Sequence, residues 1–306
     1  MDMRFQIREV ECVSACNRVK GGFPYLWDLN AYRGCGHRCR YCFALYTHKY
    51  IKAGDFFNEI YVKVNIAESL ERLLRSKSWN GEPINLGGVT DSYQPLEKDY
   101  ELMPDIWKLL IKYKNPCTIS TKSDLILRDY DLIMELSEKT YVNVASTITG
   151  VDEKIRERIE PGAVSYERRF NMLKAFKGTN VRTGLHIMPV IPYLTDSDEN
   201  LDALFEKGSD AGVDYAIVQA LNLRGETKVT FMTFIKELYP EIFDELLDMY
   251  KTGYASTDYR SDLAKRAAAL MKKHGITGEY AARRAGEEKA GEKKEYEQIS
   301  LFDKNI

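Results

Sequence analysis

Three of the six cysteines fall within eight residues, Cys35, Cys39 and Cys42, spaced C-x₃-C-x₂-C in the stretch Tyr32-Arg33-Gly34-Cys35-Gly36-His37-Arg38-Cys39-Arg40-Tyr41-Cys42-Phe43-Ala44. Thiolates are soft ligands that select zinc, copper(I) or iron–sulfur centres. To converge on one centre the backbone has to fold back on itself, and Gly34 and Gly36 supply the conformational freedom for that. A structural zinc site closes its tetrahedron with a fourth protein ligand, whereas three thiolates leave one position open for chemistry. His37 inside the loop, or Cys12 and Cys16 upstream, are the candidates for completing a zinc site instead. Cys12 and Cys16 share a face if their segment is helical.

The remaining candidates sit where strands should end. Gly87-Gly88 closes an apolar run and is followed by Val89-Thr90-Asp91-Ser92-Tyr93-Gln94-Pro95; paired glycines there let a ligand or another backbone approach. Lys122, in Thr121-Lys122-Ser123, is a point charge with three donors, suited to a carboxylate. Ser146 and Thr147 are hydroxyls in an otherwise apolar strand, candidates for ribose or carboxylate contacts. Glu160-Pro161, Arg168 and Met188-Pro189-Val190-Ile191-Pro192 follow.

Such groups need a scaffold, and the hydrophobic pattern describes one. Strands are expected at about 28–33, Ile84–Val89, Cys117–Thr121, Val142–Thr149, Val181–Ile191 and Tyr215–Leu221. Helices are expected near 100–114, 125–138, 164–177 and 198–208. Strand and helix patterns alternate, which argues for six parallel β/α units, a partial barrel whose reactive groups gather at the carboxyl ends of the strands. Glu59–Val64 alternates as a further strand. Helices at about 229–238, 240–252 and 258–274, the last capped at Thr257 and stopped by Lys272-Lys273-His274-Gly275, are expected to cover the open side. The divisions are a lead-in (1–27), a core (28–225), C-terminal helices (226–278) and a charged tail (279–306).

The cysteine loop with Tyr41 before its third cysteine resembles the radical S-adenosylmethionine (radical SAM) superfamily. Asn30-x-Tyr32-Arg33-Gly34-Cys35, Gly87-Gly88-Val89-Thr90-Asp91, Thr121-Lys122-Ser123, Glu160-Pro161 and Pro189-Val190-Ile191-Pro192, in this order, resemble its DNA repair photolyase branch, whose characterised relative is spore photoproduct lyase. The resemblance implies a partial (β/α)₆ barrel, a [4Fe–4S] cluster on Cys35, Cys39 and Cys42, and S-adenosylmethionine on the open iron, cleaved to a 5′-deoxyadenosyl radical with an electron from an external flavodoxin- or ferredoxin-type donor. It implies that Gly87, Gly88 and Thr90 receive the methionyl amine, that Lys122 and Ser146, with Arg168, contact the cofactor, that Tyr41 and Phe43 lie near the adenine, and that Tyr41 and Tyr93 are the catalytic tyrosines. The family places a tyrosine on each side of the third cysteine to return hydrogen to the cofactor; here the second is Phe43, which has no O–H. The family's cysteine hydrogen donor has no positional match either, Cys117 being expected to pack away from the mouth. The expected substrate is a damaged nucleobase cleaved in a lyase-type step, with a peptide or small metabolite as the alternative. A reading of another class is a non-enzymatic DNA-associated metalloprotein.

Composition bounds these readings. The 306 residues carry a net charge of −2 and a pI near 6.2, unlike a general nucleic-acid binder. Residues 1–52, however, hold nine bases against four acids, a net of +5 around the cysteine loop. No apolar run is long enough to span a membrane and no signal-peptide core opens the chain, so a cytoplasmic, reducing compartment is expected, which the thiols require. The tail ends in Gln298-Ile299-Ser300-Leu301-Phe302, similar to the peptide by which repair proteins dock on the sliding clamp; Leu301 and Phe302 would be its anchors, or would pin the tail to its own barrel.

Overall fold

A computed structural model describes residues 5–19, 25–51, 54–278 and 280. The lead-in is extended, as β1 (Gln6–Val10) and β2 (Cys16–Arg18), so Cys12 and Cys16 share no helical face. The strand expected over 28–33 is two. β3 (Trp27–Leu29) accepts the Gly87 amide at Leu29 and stays in the barrel, whereas Ala31 accepts the Lys63 amide and β4 (Tyr32–Arg33) has crossed to another sheet. That sheet has the order β1-β5-β4, with β5 (Glu59–Lys63) in the middle; the strand read at 59–64 forms but stands outside the barrel.

The chain then alternates as its periodicity demands. α1 (Ile66–Leu74), β6 (Ile84–Leu86), α2 (Glu97–Tyr100), α3 (Leu102–Tyr113), β7 (Cys117–Thr121), α4 (Tyr130–Ser137) and β8 (Val142–Thr147) are followed by α5 (Glu153–Ile159), α6 (Tyr166–Ala175), β9 (Arg182–Val190), α7 (Asp198–Ala211) and β10 (Tyr215–Ala220). The six strands β3-β6-β7-β8-β9-β10 are parallel and in that order, with β2 antiparallel on the free edge of β3. This is a partial (β/α)₆ barrel with a C-terminal helical extension.

Alternation divides each strand between two environments. Ile119, Val144, Leu185, Ile187 and Val218 face the helices and form the main apolar core. The other parity carries Asp28, Asn85, Thr118, Ser120, Asn143, Thr147, His186 and Tyr215 into the lumen. Small residues let these polar groups meet across a strand. Ser120 Oγ is hydrogen-bonded to His186 Nδ1 at 3.1 Å, past Ala145 on β8. Tyr215 passes over Gly184, where a Cβ would stand 2.3 Å from its ring, and donates to Asn143 Oδ1 at 3.1 Å. Tyr280 closes the lower end, its hydroxyl donating to Thr118 Oγ1 at 2.7 Å. Access to the lumen is therefore from the carboxyl ends of the strands.

α8 (Gly225–Leu238) and α9 (Phe243–Met249) supply Phe231, Phe234, Ile235 and Leu246 to a second apolar cluster that includes Cys39, Tyr41 and Ile159, so they close over the cysteine loop. α10 (Thr257–His274) packs on α7 and β10. Its cap is Ser256, one residue before the expected Thr257, with Oγ accepting the Tyr259 amide; Gly275 ends it in a left-handed conformation. Among the described residues no helix is long and apolar enough to cross a membrane. The tail motif Gln298–Phe302 lies outside the described residues.

Candidate active site

The cysteine loop leaves β4 and is held on three sides by groups from distant sequence. From the first, the run after β6 reaches it: Thr90 Oγ1 donates to Gly34 O at 2.7 Å, and Gln94 Oε1 accepts the Gly36 amide at 2.9 Å. Asp91 accepts from Thr121 Oγ1 at 2.7 Å and the Lys122 amide at 2.8 Å, and its Oδ2 lies 3.1 Å from His37 Nε2 as a close electrostatic contact rather than an aligned hydrogen bond. Burial opposes its charge, but the field of His37 and these hydrogen bonds outweigh it and hold the Asp91 carboxyl well below the usual carboxylate range. From the second side comes the turn after α5. Gly162 N donates to His37 O at 3.0 Å and Arg40 N to Ile159 O at 2.9 Å, while His37 Nδ1 donates to Gly162 O at 3.1 Å. The backbones meet so closely that a Cβ on Gly162 would stand 2.1 Å from Gly36 O. From the third, Thr227 of α8 donates to Cys42 O at 2.9 Å. Gly34 is left-handed (φ 85°), as expected, but the other left-handed residue of the loop is Arg38 (φ 56°); Gly36 serves instead as a close contact for the Phe5 ring.

Cys35, Cys39 and Cys42 are free thiols, and burial pushes each up to about 12. They would become thiolates only with positive charge brought to them, and Lys122 already lowers Cys39 and Cys42. Among the described residues no group of three or more His, Cys, Asp or Glu side chains is arranged to hold a metal ion. His37 is engaged with Asp91 and Gly162, and Cys16 packs in the main core. Neither completes a zinc site. Three soft thiols carried on one loop, with the neighbouring carboxylates of Asp91 and Glu160 already engaged by Thr121 and Arg169, are a donor set whose chemistry fits an iron–sulfur cluster.

The Gly87-Gly88 turn is clamped by Asp28, which accepts from Gly88 N at 2.9 Å, Asn85 Nδ2 at 2.8 Å and Asn30 Nδ2 at 2.6 Å. Asn30 Oδ1 in turn accepts the Val89 amide at 2.9 Å. Gly87 is left-handed (φ 92°), and a Cβ on Gly88 would stand 2.4 Å from Asp28 Oδ2. The two glycines thus let Asp28 and Ser92 close against the turn at the carboxyl end of β6.

Lys122 ends β7 on the lumen parity, with Nζ over the Tyr41 ring, 5.9 Å from its centroid. Among the described residues Nζ has no hydrogen-bond acceptor. Burial works against its charge, yet the fields of Cys39 and Glu160 outweigh it and raise its pKa. Glu160 pairs with Arg169 (Oε2 to Nη2 2.6 Å), both side chains fully buried, and accepts the Tyr41 hydroxyl. Although burial opposes it, Arg169 and Lys122 hold the Glu160 carboxyl below its ordinary value. Arg169 also donates to Thr147 O at 2.9 Å and Val164 O at 2.8 Å, locking α6 to β8.

Several expected site residues stand elsewhere. Ser146 has the helix-facing parity and its Oγ donates to Thr121 O at 2.7 Å; Thr147 is its lumen-facing neighbour. Tyr93 is fully buried, its hydroxyl donating to Asp129 Oδ2 at 2.8 Å and accepting from Trp107 Nε1 at 2.7 Å. Arg168 is bidentate to Asp124, at 2.6 and 2.7 Å, on the surface. With His37, Tyr93 and Lys98 it lines a groove of about 490 Å³ outside the lumen. Phe43 is exposed. Cys117 has the helix-facing parity and is fully buried, so it does not face the lumen. Arg169, absent from the sequence reading, had a signal: Tyr166, Arg169, Phe170 and Leu173 recur at three and four, which puts Arg169 and not Arg168 on the buried stripe of α6.

A family model described as the Radical SAM superfamily matches residues 29–205, spanning every element of this site up to α7. The chain belongs to the radical SAM superfamily. An uncharacterized protein of Mycobacterium tuberculosis is 36% identical to this radical SAM chain over 278 residues, covering 89% of the chain and 82% of the relative. One from Methanocaldococcus jannaschii is 29% identical over 245 residues, covering 80% and 88%. Among solved structures, spore photoproduct lyase with bound AdoMet and dinucleoside spore photoproduct superposes at a TM-score of 0.68 with 14% identity, covering 90% of this chain and 82% of that one. Streptococcus suis SuiB bound to precursor peptide SuiA superposes at 0.53 with 17% identity, covering 83% and 48%. At these identities the structures establish the shared radical SAM fold.

Proposed function

We propose that this protein is a radical SAM enzyme whose substrate is a nucleobase and whose reaction is a lyase-type bond cleavage. The observation that carries the cofactor assignment is Lys122, a half-buried ammonium at the end of β7 that lies over the Tyr41 ring of the cysteine loop and has no hydrogen-bond acceptor among the described residues. A partly desolvated cation of this kind favours an anion beside it, and the methionyl carboxylate of S-adenosylmethionine would meet that need. Cys35, Cys39 and Cys42 would hold the [4Fe–4S] cluster. When bound, the cluster supplies the electron, received from an external flavodoxin- or ferredoxin-type donor, that cleaves S-adenosylmethionine to methionine and a 5′-deoxyadenosyl radical.

The chain's own groups orient and exclude. The Gly87-Gly88 turn, clamped by Asp28, would receive the methionyl amine, and Thr90 fixes the turn to the cysteine loop. Tyr41 is held by Glu160 and faces Lys122 with its ring, which keeps the two side chains together at the cysteine loop. α8 and α9 cover the loop and keep water from it. The lumen supports the substrate assignment. Ser120, His186, Tyr215 and Asn143 are joined in one hydrogen-bonded chain, a rigid polar wall that suits a heteroaromatic ring better than an aliphatic side chain. A base would have to be unstacked to enter.

The test is anaerobic reconstitution with iron and sulfide, then dithionite and S-adenosylmethionine, with 5′-deoxyadenosine assayed with and without ultraviolet-damaged DNA. Formation of 5′-deoxyadenosine that damaged DNA stimulates is the expected result, and Cys39→Ala abolishes it. Formation indifferent to DNA moves the substrate to a peptide or metabolite; none from a loaded protein refutes the enzyme reading.

A further inference from the structure

Four polar side chains of the lumen are linked in series. Ser120 Oγ lies 3.1 Å from His186 Nδ1, His186 Nε2 3.1 Å from the Tyr215 hydroxyl, and that hydroxyl 3.1 Å from Asn143 Oδ1. Each hydroxyl carries one proton and a neutral imidazole carries one, so fixing one end fixes the direction of every bond. Asn143 is the fixed end: its Nδ2 donates to the Tyr141 hydroxyl at 3.3 Å, which turns Oδ1 toward Tyr215. Oδ1 can only accept. The Tyr215 proton is therefore committed to Asn143, and Tyr215 meets His186 as an acceptor, which puts the imidazole proton on Nε2. Burial, with the field of Lys122 second, lowers His186 to about 3, so no second proton occupies Nδ1 at neutral pH. The lone pair of Nδ1 is left to accept from Ser120.

Ser120 is consequently an acceptor toward everything else. Its one proton is held by His186 and only lone pairs remain, with no donor reaching them among the described residues. Asn143 and Tyr215 are fully buried and His186 is 6% exposed, whereas Ser120 is half-buried. Helices cover the other face of β7 through Cys117 and Ile119, so the surface that Ser120 exposes is lumen surface. Ser120 also shares the lumen face of β7 with Lys122, two residues and about 7 Å deeper along the strand. A serine free to turn its hydroxyl serves donors and acceptors alike. Held this way it is met only by a donor, and an acceptor placed against it would forfeit a hydrogen bond in a partly desolvated site.

We propose that Ser120 determines specificity by accepting an N–H of the substrate base, and that His186 is the positioning residue whose tautomer sets the polarity of that contact. Both roles rest on the nucleobase reading above and add to it which edge of the base is read: one that carries a donor, with bare ring-nitrogen acceptors turned away. Thymine is the sharpest probe, because in a nucleotide N3–H is its only donor, and N3-methylation removes it while leaving the photoreactive C5–C6 bond in place.

The experiment uses the reconstituted full-length protein under anaerobic conditions and has two parts. The chain has four histidines; with nitrogen-15 histidine incorporated, His186→Gln identifies the His186 signal, and its correlations to the carbon-bound ring protons tell which nitrogen is protonated. The Nε2–H tautomer is expected at neutral pH. In the second part, 5′-deoxyadenosine formation is followed with sub-saturating ultraviolet-irradiated oligothymidine and with its irradiated N3-methyl counterpart. Stimulation by the unmodified oligomer is expected to exceed that by the methylated one by about tenfold or more, and Ser120→Ala to lose most of this stimulation and all but about twofold of the discrimination. The Nδ1–H tautomer, equal stimulation by the two oligomers, or a ratio that Ser120→Ala leaves unchanged overturns the contact and leaves the nucleobase reading standing. Stimulation by neither oligomer also overturns the contact, and if irradiated mixed-sequence DNA fails as well, the nucleobase reading falls with it.

Discussion

Replacing Arg169 by methionine keeps the stem of the side chain and leaves Glu160 buried without its partner. Removing one member of a buried pair costs about 3–5 kcal/mol. The figure can also be reached from proton binding. An abandoned Glu160 escapes its charge by taking up a proton, and from an ordinary value of 4.5 this costs about 1.4 kcal/mol per pH unit, roughly 3.4 kcal/mol at pH 7. The Thr147 and Val164 carbonyls lose their donor as well, so about 4 kcal/mol is expected in all. For a chain of this size that lowers the melting temperature by about 6 °C. The proton route also fixes the pH dependence. In the native protein the Glu160 pKa is depressed, so the stability it contributes is present above about pH 4.5 and is lost as pH falls through the depressed value. In the variant its pKa is raised, and protonation at pH 5 costs only about 0.7 kcal/mol. The destabilisation should therefore shrink by roughly 2–3 kcal/mol between pH 7 and pH 5. Urea unfolding of reduced, cluster-free protein at both pH values measures this, and Glu160→Gln/Arg169→Met should recover much of the loss. A variant within about 1 kcal/mol of native at pH 7, or an equal loss at both pH values, refutes the account of this pair.

Three other outcomes follow from the same geometry. Lys122→Met should weaken S-adenosylmethionine binding by about tenfold or more while moving the melting temperature by no more than about 2 °C, since Nζ makes no hydrogen bond among the described residues; calorimetry on the cluster-loaded protein decides, and unchanged affinity removes Lys122 from the site. Gly88→Ala places a Cβ 2.4 Å from Asp28 Oδ2, and should cost about 1–3 kcal/mol in denaturant unfolding; a neutral result means the turn is not clamped. Burial, with the field of Lys122 second, lowers His186 to about 3, so the folded state keeps it neutral while the unfolded state takes up a proton below about pH 6.5. Its contribution to stability is lost as pH falls from there toward the folded value, about 2 kcal/mol by pH 5, and His186→Gln should flatten that part of the stability curve; an unaltered slope shows that another group titrates.

The sequence alone determined the cysteine loop, the Gly-Gly turn and the barrel order, because each is written in local spacing: thiols at three and four, glycines at a strand end, apolar residues recurring at two or at three and four. It also placed Lys122 at the end of β7. What only the tertiary structure decided is which group meets which. Tyr41 finds Glu160 across 119 residues, and Gly36 finds Gln94 across 58. No local pattern specifies such partners, since their approach is set by how helices and turns stack once the barrel has closed. Parity is intermediate between the two. That Ser146 would turn to the helices and Thr147 to the lumen follows from alternation, but which parity is the lumen becomes clear only when Asn143 and His186 meet their neighbours across Gly184 and Ala145. The strand at 59–64 shows the same division: its alternation made it a strand, and only its pairing with β1 and β4 kept it out of the barrel. Tyr93 sits in the most motif-like stretch of the chain, yet its hydroxyl is engaged by Trp107 and Asp129, because a buried phenol has to find partners wherever the fold brings them.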